Sequence, residues 1–132
     1  MTKLRWQLRF ASYEKAYRKL VDAVTRKEYD DLEMAGLIQT FVFTFELGWK
    51  TLKDLLEQEG YQIDSPRNAI KQAFQAGYIT DADLWLKALQ QRNVMAHTYD
   101  EDETKQAIML IKEQYFPMLE RLYLFLQEKL KS

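Results

Sequence analysis

Apolar residues recur at three- and four-residue spacing from the start of the chain, and the period is helical throughout. Over residues 3–26, Phe10, Tyr13, Tyr17, Leu20, Val21 and Val24 form one face, with Lys15, Arg18, Lys19 and Asp22 between them, which predicts an amphipathic first helix. A second helix opens near Asp30 or Asp31, where a carboxylate can cap free N–H groups. It runs to Gly60, which can take the left-handed conformation that ends a helix. Its middle, LIQTFVFTFELGWKTLKDLL, is apolar almost all round, so it belongs at the centre of a bundle or in an oligomer interface. No turn residues bracket FVFTF, and it is read as helix despite its strand-like composition.

Ser65-Pro66 pairs a capping hydroxyl with proline at the first helical position, and Gly77 closes the short helix that follows. Thr80 with Asp83 resembles a capping box for a fourth helix carrying Leu84, Trp85, Ala88 and Leu89 toward Arg92, and Asp100 with Glu103 opens the last helix in the same manner. That helix is expected to reach about Lys129 with a kink at Pro117. Four longer helices and one short one, joined by short loops, make an all-α fold. The expected architecture is an antiparallel, up-and-down four-helix bundle with an additional short helix.

Composition narrows the classes. A length of 132 residues suits one domain spanning 1–132. Nineteen Lys and Arg against twenty Asp and Glu leave a net charge of -1, so any contact with nucleic acid has to come from a local patch. The absence of cysteine removes disulfides and thiolate metal sites. MTKLRWQLRF lacks the apolar run of a secretion signal, and no stretch approaches a membrane span. A cytoplasmic protein without metal or other cofactor is expected.

The candidate chemistry lies in ALQQRNVMAHTYDEDE, residues 88–103, which contains the only histidine, His97. Arg92 and His97 stand about 140° apart on a straight helix, whereas Asn93 and His97 share a face. Joint action of Arg92 and His97 on one group therefore needs the arginine to reach round or the helix to end between them. The capping residue at Asp100 favours a helix end near His97. Arginine offers a forked donor set for phosphate and histidine a proton carrier near neutral pH, the parts needed to cleave RNA without a metal. A single histidine cannot be base and acid at once, so a two-fold dimer would have to supply the second. A local cap or interface role for these side chains stays open from spacing alone.

The block RNVMAHTY fits the R-x4-H-x-Y motif and resembles the HEPN superfamily, in particular its HepT-like branch. FELGWKTLKDLLEQEG, SPRNAIKQAF and RNVMAHTYDE together resemble the nucleotidyltransferase substrate-binding protein family within that branch, from the first helix to about Tyr115. The resemblance implies a homodimeric helical bundle that assembles with a separate minimal nucleotidyltransferase. It implies the toxin of a type VII-like toxin-antitoxin pair, a metal-independent endoribonuclease with Arg92 and His97 catalytic. The partner, as antitoxin, would adenylylate Tyr99. It also leaves open a non-catalytic subunit that binds the nucleotidyltransferase's substrate or a nucleotide. Asn93, Glu46 and Lys50 are candidate supporting residues, and Glu46 and Lys50 also suit an ordinary helix ion pair. Trp49 reads as core or as a base-stacking platform, Lys53 lies in the same block, and Arg67 with Lys71 reads as a phosphate-tracking patch or as solvated surface charge.

Overall fold

A computed structural model describes residues 3–97 and 100–132. Helix α1 spans Arg5–Val24, α2 Asp31–Gln58, α3 Pro66–Gln75 and α4 Ala82–Ala96. Helix α5, Glu101–Leu110, passes through a π-helical turn, Ile111–Tyr115, directly into α6, Phe116–Lys131. No strand occurs among the described residues. The bundle is all-α, as the apolar period predicts.

The termini follow from local chemistry. Asp30 accepts the Glu33 N–H at 2.7 Å while the Glu33 carboxylate accepts the Asp30 N–H at 3.1 Å, a reciprocal capping box that fixes the start of α2. At its end Gly60 takes φ 99°, so the Tyr61 N–H reaches the Leu56 carbonyl at 3.0 Å and the Gly60 N–H the Glu57 carbonyl at 3.1 Å. Gly77 closes α3 by the same pair of bonds at φ 81°. Ser65 caps α3 through the Asn68 N–H, with Pro66 at the first helical position.

Two expected caps differ in detail. Helix α4 begins after Asp81 rather than Thr80, and its N-cap makes no side-chain bond, because the Asp81 carboxylate pairs with Arg121 of α6 instead. Asp100 does cap α5, but through the Asp102 N–H at 2.9 Å, one position earlier than a capping box requires. At Pro117 the helix widens. Proline has no N–H, and its ring would strike the carbonyl four residues back. The preceding turn is π-helical, and the Phe116 N–H bonds back to Ile111.

Cross-helix contacts give the directions. On α1 and α6, Phe10 stacks near Tyr123, Tyr13 donates to the Leu119 carbonyl at 2.7 Å, and Tyr17 lies parallel to Phe116 at 5.7 Å between ring centroids, so the two helices run antiparallel. Arg9, near the start of α1, meets Asp54, near the end of α2. Trp85 packs on Phe45 while Met95 and Ala96 lie beside Met34 and Ile38, which sets α4 antiparallel to α2. The up-and-down arrangement follows, with the short α3 connecting α2 and α4. Helix α2 is central and touches α1, α3, α4, α5 and α6. Phe41, Phe45, Leu52, Leu55 and Leu56 are buried along it, and this accounts for a sequence apolar on nearly every side. Gly48 faces the tightest point of the bundle, where a Cβ would lie 3.1 Å from Tyr13 Cε1 and 3.3 Å from Leu122 Cδ2.

Candidate active site at the end of α4

Helix α4 ends at Ala96, and His97 is its C-cap residue at φ -118°, ψ 22°, its N–H donating to the Val94 carbonyl at 3.2 Å. The helix therefore stops at Ala96, between Arg92 and His97, one of the two arrangements the spacing left open. His97 and Asn93 are exposed. Thr98 and Tyr99, the latter the expected modification site, lie outside the described residues.

Arg92 turns back onto α2. Its Nη1 donates to Glu46 Oε2 at 2.7 Å and to Oε1 at 3.1 Å, and Trp49 Nε1 donates to the same Oε2 at 3.0 Å. The side chains of Arg92 and Glu46 are 21% and 31% exposed, so the pair is partly shielded and its charge-assisted bonds are stronger than those of an open surface pair. Lys50 does not take Glu46 as its ion-pair partner. Its ammonium lies over the Trp49 ring, 5.9 Å from the centroid. Arg92 reaches the carboxylate from α4 with two bonds, both through Nη1.

The structure thus joins Glu46, Trp49 and Arg92 across two helices, with Lys50 at their edge. Trp49 is half-buried and hydrogen-bonded to the candidate site, a role that neither reading of it from the sequence included. Its three-residue spacing from Glu46 was the available signal. Between the end of α4, the first half of α2 and the start of α5 lies an open cleft of about 310 Å³, lined by Met34, Ile38, Gln39, Met95, Ala96 and Thr104 among others. Lys53 pairs instead with Glu57 at 3.6 Å. Arg67 and Lys71 are exposed on α3, and the cleft beside Lys71 carries Asp81 and Asp83, which weakens any claim to phosphate there.

Residues 8–128 match the model of the nucleotidyltransferase substrate binding protein-like family. The chain belongs to this family. The match runs past Tyr115 into α6, so the last helix is as much a part of the family frame as the motif. A crystal structure of a Thermus thermophilus protein superposes with a TM-score of 0.73 at 30% identity, covering 83% of this chain and 94% of that one. A protein of Haemophilus influenzae named probable ribonuclease HepT is 32% identical over 78 residues, 55% of this chain. The match spans about half of that relative's length, 53%. The superposition agrees with the helical bundle, and the Haemophilus relative with a HepT-like member of the family. Among the described residues, no helix is long and apolar enough to cross a membrane.

Proposed function

We propose that this chain is the toxin of a HepT-like toxin-antitoxin pair, a metal-independent endoribonuclease that acts as a homodimer. The carrying observation is Arg92, clamped by Glu46 at 2.7 Å on the helix that ends at the exposed His97. His97 would take the proton of an RNA 2′-OH as its oxygen attacks the adjacent phosphorus. Arg92 would neutralise the phosphorane, and the second subunit's copy of the same histidine would protonate the departing 5′ oxygen. The name of the Haemophilus relative supports the reaction class.

The family description supports a nucleotidyltransferase as partner. That enzyme would adenylylate Tyr99. The phenol oxygen attacks the α-phosphorus of ATP, pyrophosphate leaves and the phenolic proton passes to a base. The new phosphodiester adds bulk and negative charge two residues from His97, which repels RNA phosphates.

The test is degradation of RNA by purified protein in EDTA, with wild type, His97→Ala and Arg92→Ala compared at matched dimer concentration. Cleavage by wild type that both substitutions abolish supports the reading; cleavage that survives His97→Ala sinks it. The same family description favours a second reading, a non-catalytic subunit that binds its partner's substrate. Nucleotide binding without RNA turnover, with Tyr99 unmodified by mass, selects that alternative.

A further inference from the structure

Arginine binds phosphate best when its planar fork is already aimed, because a free side chain gives up its rotamer freedom on binding. Arg92 is aimed by one edge only. Both of its bonds to Glu46 are made through Nη1, and among the described residues Nη2 and Nε donate to no other group. The carboxylate is itself fixed, since Trp49 Nε1, one turn along α2, donates to Oε2 at 3.0 Å. Lys50 sits over the same indole ring.

We propose that Glu46 is a positioning residue, held by Trp49, that fixes the Arg92 guanidinium by one amino group and leaves the Nη2–Nε edge to grip the scissile phosphate. This rests on the nuclease reading of Arg92. A carboxylate beside a phosphate site repels the substrate electrostatically while it orders the arginine. Its removal should therefore slow turnover without weakening affinity, whereas a merely structural residue would lower both.

The experiment uses the full chain with Glu46→Gln, Glu46→Ala and Trp49→Phe. Three quantities are read: the single-turnover rate on RNA, the affinity for an all-deoxy oligonucleotide that has no 2′-OH to attack, and the 15N resonances of the Trp49 indole and Arg92 guanidinium. Glu46→Gln and Glu46→Ala should slow cleavage by about 10- to 100-fold, the scale of a misplaced catalytic group. Affinity for the deoxy strand should be unchanged or severalfold tighter. Trp49→Phe should slow cleavage less, by about 3- to 10-fold, since the carboxylate remains. In wild type the deoxy strand should shift the Arg92 signal and leave the Trp49 indole signal in place.

Cleavage at the wild-type rate by both Glu46 variants overturns the proposal. So does a joint fall of rate, deoxy-strand affinity and melting temperature, which marks a structural residue. A Trp49 signal that moves with bound oligonucleotide also overturns it, because the phosphate would then be displacing Glu46. If wild type cleaves no RNA, the nuclease reading fails by itself. The oligonucleotide affinity and the two resonances then still decide whether Glu46 holds a phosphate-binding arginine, and no oligonucleotide binding overturns that too.

Discussion

Replacing Arg9 with methionine should cost far more stability than replacing its partner, Asp54. The Asp54 side chain is 1% exposed and its Oδ2 lies 2.9 Å from Arg9 Nε, whose own side chain is 35% exposed. Removing the arginine strands a buried carboxylate, at about 3–5 kcal/mol. Water already reaches the guanidinium side, so the lower end, about 3 kcal/mol, is expected. An unfolding entropy of about 2.1 cal/mol/K per residue gives about 0.28 kcal/mol/K for 132 residues, and the melting temperature should fall by about 10 °C. Asp54→Asn keeps an oxygen acceptor and frees Arg9 to turn into water, at about 1 kcal/mol, or about 4 °C. Arg9→Met with Asp54→Leu leaves no charge to strand and should return to within about 1 kcal/mol of wild type. Thermal and urea unfolding followed by circular dichroism at pH 7 measure all three, together with Asp54→Leu alone. Equal losses for the two single changes, or a double variant that simply sums Arg9→Met and Asp54→Leu, would refute the reasoning.

Three further outcomes follow from the geometry. Gly48→Val should cost about 1–3 kcal/mol in urea unfolding, because the space for a Cβ is closed by Tyr13, Leu122 and Trp85, all buried; an unchanged urea midpoint would show that these neighbours yield. Asp30→Ala should cost about 1 kcal/mol and Asp81→Ala less than about 0.5. The first removes a reciprocal cap, whereas the second removes an ion pair whose Arg121 side is half exposed and free to turn into water, and equal melting temperatures would contradict this. Stability should fall as pH rises through about 10 to 12. Burial raises the Tyr115 hydroxyl to about 12, and burial with the nearby Glu120 carboxylate raises Tyr17 to about 12. The unfolded chain then releases tyrosine protons that the folded chain retains. Tyr115→Phe and Tyr17→Phe should flatten the decline in urea midpoint between pH 9 and 11.

How far the sequence reached differs from element to element. Helix boundaries were legible wherever a local bond sets them. Asp30, Ser65 with Pro66, Gly60 and Gly77 act within a few residues of themselves, and the structure uses each as the sequence implies, with Glu33 completing the box at Asp30. The all-α class follows from the apolar period alone. The end of α4 at Ala96, with His97 as its C-cap, was legible because a helix stop is also a local matter. The family frame was legible from three separated blocks, although its extent beyond Tyr115 was not.

Tertiary structure decided the partners. Asp81 was free to cap α4 until α6 brought Arg121 beside it, and Glu46 could pair with Lys50 until α4 laid Arg92 across the same carboxylate. Residues 46 and 92 meet only because α4 runs antiparallel to α2, and no spacing along the chain encodes that contact. The bend expected from Pro117 became a π turn whose Tyr115 stacks on Phe41 and donates to Gln91 at 2.7 Å. A cap or a helix stop is settled by a few neighbouring atoms. The partner of a long charged side chain depends on which helices arrive beside it, and the whole core determines that.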